Sequence, residues 1–290
     1  MASKDVSKES EKLSPNTFSD LFPQNDVFYF SGEINYIAAK DWRRLVTAKP
    51  NRMKSVTVFF CSCGGSPDAA FRMMRILQNI YDKITVIIFG ECYSAATLFV
   101  LGADRIIMGY DAQLGPLDIQ LLKEDELSRI SGECFRQALL SLNAMSNAAF
   151  CDHFRKVKSG VGFPLSTATA SRIASEITIG LFAPITQKID PEKLGEFVRA
   201  QAIGVHYGLR LMKERYNYSD AQTIVMNLAY NYPSHSTVID YKEAASMKLK
   251  VEKFDDYPEL VEKLSKLQED MLEQQKIPVM EDFTQKTIPQ

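Results

Sequence analysis

Two apolar runs, SVTVFFCSC at residues 55–63 and ITVIIFGEC at residues 84–92, most constrain the fold of this chain. Neither alternates with polar residues, so each, as a strand, must be covered on both faces, the condition of strands inside a parallel sheet. Parallel neighbours cannot be joined by a hairpin and need a crossover. The intervening sequence supplies one. Ser66-Pro67-Asp68 reads as a helix start, with a hydroxyl N-cap, proline at the first helical position and an acid in the first turn. Ala70, Met73, Met74, Leu77, Ile80 and Tyr81 then recur at i, i+3, i+4, i+7, i+10 and i+11, one face of a helix. The unit repeats: Ser94-Ala95-Ala96 opens a small-residue helix ending near Gly102, and DRIIMG at 104–109 is the next strand. The implied class is α/β with a largely parallel sheet.

Around this unit, residues 1–24 read as a flexible N-terminal arm rich in Ser, Lys, Asp and Glu. VFYFSGEI at 27–34 is a strand and INYIAAKDWRRLV a helix, so the core spans 25–121. Residues 122–276 form a mainly helical continuation. Within it 122–158 is helical, and 159–192 is irregular because Gly, Pro, Ser and Thr are scattered through it. Residues 194–215 are helical again, with Leu194, Phe197, Val198, Val205, Leu209 and Met212. Asp240 with Glu243 forms a capping box for a short helix through Met247. Leu260, Leu264, Leu267 and Met271 stripe a last helix before a flexible tail at 277–290.

Charge and cysteine usage exclude several functions. With 34 Lys+Arg against 36 Asp+Glu in 290 residues the net charge is -2, which gives no long-range attraction for a phosphate backbone. Nucleic acid is therefore not an expected partner. The five cysteines are odd in number and contain no C-x-x-C, and the three histidines stand far apart, so neither a disulfide framework nor a metal site follows. Thiols inside apolar runs fit a reduced, cytoplasmic compartment. The polar N-terminus lacks an apolar signal region, and no 18-residue apolar window predicts a membrane span. Without a P-loop or a G-x-G-x-x-G, no cofactor is expected.

Chemistry concentrates at two turns on the carboxyl edge of the expected sheet, where ligand sites of parallel sheets lie. At the first, Gly64 and Gly65 allow backbone conformations closed to other residues, and an N–H exposed there could donate to an oxyanion. At the second, Gly90-Glu91-Cys92-Tyr93-Ser94-Ala95-Ala96 carries a strand into a helix with Ser94 at the turn and the Ala95 N–H beside it. A hydroxyl nucleophile and two backbone donors are most of what acyl transfer needs. The plainer reading is that the Gly pair only turns the chain and Ser94 only caps a helix.

The series FYFSGEI, VTVFFCSCGGSPDAA and KITVIIFGECYSAATLFVLGADRIIMGYDAQLGPLDIQ resembles the Clp-protease/crotonase superfamily. Within it the chain is most similar to the serine dehydrogenase proteinase group related to signal peptide peptidase A. HSTVIDYKEAASMKL is similar to a C-terminal segment of that group. The resemblance implies a repeated ββα spiral, a homo-oligomer and a serine peptidase acting on peptides or proteins. It assigns Ser94 as nucleophile, Gly65 and Ala95 as oxyanion donors, and Gly64 as the residue shaping the turn. Leu114-Gly115-Pro116 matches the segment where Clp-type enzymes carry a catalytic histidine, and here it has none. Cys63 stands where the superfamily has proline, and Ala96 where glycine is common.

The base must then come from elsewhere. Lys123, just past the Leu-Gly-Pro segment, is the first candidate by resemblance to lysine-using relatives, and it requires burial to lower its pKa. His235, in the C-terminal matching segment, is the second. Lys156, Lys158 and Lys188 are further possibilities. Two rival readings are a binding scaffold that kept the fold without activity, and an acyl-CoA enzyme of crotonase type using the same two donors.

Overall fold

The apolar runs become the middle of a sheet. A computed structural model describes residues 22–117, 120–122, 129–160, 162, 165–257 and 279–282. In chain order, β1 (Asn25–Ser31), α1 (Tyr36–Thr47), β2 (Ser55–Ser62), α2 (Pro67–Ile80), β3 (Lys83–Cys92), α3 (Ala95–Val100), β4 (Arg105–Met108) and β5 (Gln113–Leu114) make the core. A two-stranded antiparallel pair follows, β6 (Gln120–Leu122) with β7 (Arg129–Ser131). Next come α4 (Gly132–Gly160), α5 (Thr167–Thr186), α6 (Pro191–Met212), α7 (Tyr218–Tyr230) and α8 (Tyr241–Ser246). The described chain closes with β8 (Val251–Lys253), a 3₁₀ turn at Phe254–Asp256, and β9 (Val279–Asp282).

The sheet order is β8-β4-β3-β2-β1-β9, with β5 continuing alongside the end of β3. All pairings are parallel except β9 on β1, as the uninterrupted apolar runs require. One face of the sheet carries Phe30, Val58, Phe60, Val86 and Ile88 against Trp42 of α1, Met73 and Leu77 of α2, and Phe99 of α3. Stacked Phe60 and Phe99 rings, 4.3 Å apart, centre this layer. The Trp42 indole N–H is satisfied by the Met73 carbonyl at 3.2 Å. The other face carries Tyr29, Phe59, Cys61, Ile87 and Phe89, packed by Phe22, Phe254 and Tyr257.

Three readings need correction. Residues 159–192 are not irregular, because α5 runs for 20 residues from a Ser166 cap whose hydroxyl accepts from the Thr169 N–H at 3.0 Å. Its buried side is formed by Ala170 and Ala174, and alanine is the strongest helix former. Pro184 lies inside the helix two residues before its end, so only the last turn lies beyond it. The stretch from 122 is not helical at once, since β7 precedes α4. The tail expected from 277 contains β9, whose Val279 lies opposite Ser31. The striped helix at Leu260–Met271 falls outside the described residues.

Candidate active site

Both glycine-bearing turns reach the same sheet edge, and they touch. At the end of β2 the chain turns through Gly64 (φ +102°) and Gly65 (φ +138°). The Gly64 N–H donates to the Ser62 hydroxyl at 3.0 Å, and the Gly64 carbonyl accepts from the Ile34 N–H at 2.8 Å. The Ser66 N–H donates to the Ile34 carbonyl at 2.7 Å, stitching the turn to the segment that follows β1. A Cβ on Gly65 would lie 2.1 Å from the Ile34 oxygen, so only glycine fits there. Ser66 then caps α2, its hydroxyl accepting from the Ala69 N–H at 3.3 Å.

The β3 end is bent by a bulge. Phe60 pairs with Ile88 but Ser62 with Cys92, so β3 carries extra residues around Gly90 (φ +58°). The Tyr93 N–H returns to the Ser62 carbonyl at 3.1 Å, and Ser94 follows at φ 53°, ψ -113°. This is a conformation that a side chain adopts only at a cost of about 1–3 kcal/mol. Ser94 is partly buried at the start of α3, and its hydroxyl makes no capping bond. A Cβ on Gly64 would fall 2.6 Å from the Tyr93 oxygen, 3.2 Å from the Ser94 Cβ and 3.4 Å from the Ala95 nitrogen. The glycine thus lets the first turn press against the serine. Among the described residues, the Gly65 and Ala95 N–H groups have no hydrogen-bond acceptor.

A third segment closes the edge. Leu114 of β5 pairs with Cys92 on one side and forms an antiparallel bridge to Ile239 on the other, with both N–H···O distances 2.9 Å. Buried Thr97 of α3 fastens it: its hydroxyl lies 2.8 Å from the carbonyls of both Cys92 and Gly115, and accepts from the Gly115 N–H at 3.1 Å. Leu114-Gly115-Pro116 therefore runs directly beside Tyr93, where a Cβ on Gly115 would meet the ring at 2.9 Å.

The base candidates separate. Lys123 lies outside the described residues. His235 sits, partly buried, in a turn closed by the Thr237 N–H on the Ser234 carbonyl at 3.0 Å. Because Ile239 runs antiparallel to Leu114, the path back from Ile239 to His235 runs in the direction of Cys92 to Ser94. Lys156 is paired with Asp152 at 2.7 Å on an exposed face of α4, Lys158 donates to the Leu165 carbonyl, and Lys188 is exposed. Among the described residues, no hydrogen bond reaches the Ser94 hydroxyl. His153 and His206 lie on α4 and α6, the second exposed.

Sequence reasoning missed two features here. Thr97 carried no signal beyond a polar residue within an apolar helix. The other is Cys63, whose S–H donates to Glu91 Oε2 at 2.8 Å. Partial burial, then the Glu91 carboxylate, pushes the Cys63 thiol up to about 12. Burial, then the charge of Glu91, also raises Tyr93, whose hydroxyl donates to Gln113. Among the described residues, no cluster of His, Cys, Asp or Glu could hold a metal, and no helix is long and apolar enough to cross a membrane.

No protein-family model matches the chain. The chain is similar to the ATP-dependent Clp protease proteolytic subunit 1 of Rhodopirellula baltica, 27% identical over 140 residues. That alignment covers 41% of this chain, which thus spans 62% of the relative's length. Among solved structures it is similar to the ClpP protease catalytic domain of Plasmodium falciparum, with 17% identity, 37% of this chain, 63% of that chain and a TM-score of 0.30. A mutant of a membrane-bound stomatin-specific protease gives 16% identity over 51% of this chain and 69% of that chain, with a TM-score of 0.32.

Proposed function

We propose that the chain is a serine peptidase or peptidase-like hydrolase, with Ser94 as nucleophile. The observation that carries this reading is the Ser94 backbone, held at positive φ against a Gly64–Gly65 turn that fits nothing larger. Strain of this kind persists where surrounding structure over-determines it, and it clusters at functional sites. The likeness to a Clp proteolytic subunit supports the same reaction class.

In the proposed reaction a base takes the Ser94 hydroxyl proton as Oγ attacks a peptide carbonyl carbon. The carbonyl π pair moves onto oxygen, and the Gly65 and Ala95 N–H groups donate to that oxyanion. Collapse expels the amine, which takes the proton from the base and leaves an acyl-serine. Water, deprotonated by the same base, then releases the acid. His235 and Lys123 are the two proposed bases, and neither metal nor other cofactor is called for. Placement in the serine dehydrogenase proteinase group rests on the segment around His235, and a cytoplasmic location on thiol usage alone.

Homo-oligomerisation is part of the proposal. The helices after β7 expose Leu140, Met145, Ile179, Leu181, Ile185 and Val198, each about half exposed or more. Exposed apolar residues that gather into one patch mark association surfaces, and these helices are the proposed place for one. One observation favours the scaffold alternative: the Ser94 hydroxyl is not engaged by a base among the described residues.

A panel of fluorogenic peptides tests the proposal. Hydrolysis falls by about 10⁴-fold or more in Ser94→Ala and by a comparable factor in whichever of His235→Gln and Lys123→Met removes the base. Hydrolysis unchanged in Ser94→Ala overturns the peptidase reading.

A further inference from the structure

Away from the serine, α1 and α2 leave a groove of about 400 Å³ between their outer faces. Tyr36, Lys40 and Arg43 recur at i, i+4 and i+7 on α1, facing Phe71, Arg72 and Arg75 at i, i+1 and i+4 on α2. From α6, the Arg210 guanidinium lies 4.5 Å over the Phe71 ring, which is itself stacked on Tyr207 at 4.3 Å. Among the described residues, no carboxylate pairs with Lys40, Arg43, Arg72 or Arg75. Of the nearby acids, Asp41 pairs with Arg44 at 3.3 Å, and Asp68 accepts from the Tyr207 hydroxyl at 2.6 Å, which leaves its charge in place.

A chain of net charge -2 has no surplus of cations to scatter. Five gathered around the single charge of Asp68 leave a net positive patch, and a bound anion offsets their repulsion. The floor decides which anion. Phe71 and Ile76 line it, and its Tyr36 is 69% exposed. A bare phosphate would leave those apolar groups wet, whereas a peptide carrying acids and an apolar anchor covers both. Arginine and aromatic side chains are the residues that dominate protein–protein hot spots.

We propose that this groove docks an acidic segment of a partner protein, with carboxylates on Lys40, Arg43 and Arg72 and an apolar side chain against Ile76 and Tyr36. The docking is separate from the Ser94 chemistry, and its failure would leave that chemistry untouched.

The test is fluorescence anisotropy on the full chain with three labelled probes of equal negative charge. These are an Asp/Glu-rich peptide bearing Trp and Leu, a polyglutamate peptide, and a single-stranded oligonucleotide. The first binds most tightly, and the Arg43→Glu/Arg72→Glu double variant weakens it by about tenfold or more, as does raised salt. The neutral Arg43→Gln/Arg72→Gln variant weakens it less and guards against misfolding, which circular dichroism of both variants would reveal. Equal binding of polyglutamate, or tighter binding of the oligonucleotide, overturns the proposal. So does unchanged peptide binding in the reversed variant, including the case where that variant instead dissociates an oligomer and the groove belongs to a second copy.

Discussion

Two strand-to-helix junctions stand side by side at the carboxyl edge of the sheet, each with a serine before a helix, and the two serines do different things. At the β2–α2 junction Ser66 has ordinary extended geometry and its hydroxyl caps the helix. Proline at the next position and Asp68 in the first turn complete a standard helix start. At the β3–α3 junction Ser94 has positive φ and makes no capping bond. No acid stands in the first turn, and six residues form the whole helix, all of them buried. The first junction satisfies its own backbone. The second leaves a hydroxyl and an N–H unsatisfied, which is stable only because the Gly64 turn, the β3 bulge and the Leu114 segment hold it from three sides.

The largest effect that would break this contrast is at the glycine that seats the first turn against Ile34. Gly65→Ala brings a Cβ onto the Ile34 carbonyl at φ +138°, and denaturant unfolding should show a loss of about 3 kcal/mol or more. Wild-type stability in this variant would mean that the turn is not held against the β1 end. Next comes Thr97→Val, which keeps shape but removes the buried hydroxyl that ties Cys92 and Gly115 together. A cost of about 1–3 kcal/mol is expected in the same measurement.

The serines themselves sharpen the comparison. Ser66→Ala loses a cap and about 1 kcal/mol, while peptide hydrolysis stays near wild type. Ser94→Ala changes thermal stability little, having no cap to lose, and Ser94→Gly is the more stable of the two Ser94 variants by about 1 kcal/mol because glycine relieves the positive φ. A Ser94→Ala loss equal to that of Ser66→Ala would make Ser94 an ordinary cap.

The smallest effect concerns Cys63, beside the glycine turn. Its thiol is raised to about 12, so the folded protein holds it protonated after an unfolded chain's thiol, at about 8.5, has ionised. Its contribution to stability is full below the unfolded value and is lost as pH rises through the folded one. At pH 8 alkylation of Cys63 is therefore slower than that of a free thiol, and Glu91→Gln speeds it. Mass spectrometry of each cysteine checks this, and no acceleration would remove Glu91 as a cause.

How much of this was legible follows the same line. The α2 start was readable because Ser66-Pro67-Asp68 is a local signal, and the buried face Ala70, Met73, Met74 and Leu77 followed from period alone. The strands showed because they are buried on both sides. Ser94 and the two glycines could be singled out, yet nothing local distinguishes a capping serine from a free one. That difference depends on the bulge at Gly90 and on contacts made through Ile34 and Leu114, far away in sequence. For the same reason α5 was misread. Its Thr and Ile residues are poor local evidence for a helix, while the Ser166 cap and the buried Ala170 and Ala174 are consistent with one. The two-residue strand β5 and three-residue strand β8 were too short to announce themselves.

The central claim is that Ser94 is an activated nucleophile rather than a cap. Intact mass after treatment with a fluorophosphonate, on the wild type and on Ser94→Ala, tests it most directly. One adduct on the wild type and none on the variant is the predicted result. No adduct on folded wild type, or the same adduct on both proteins, would contradict it.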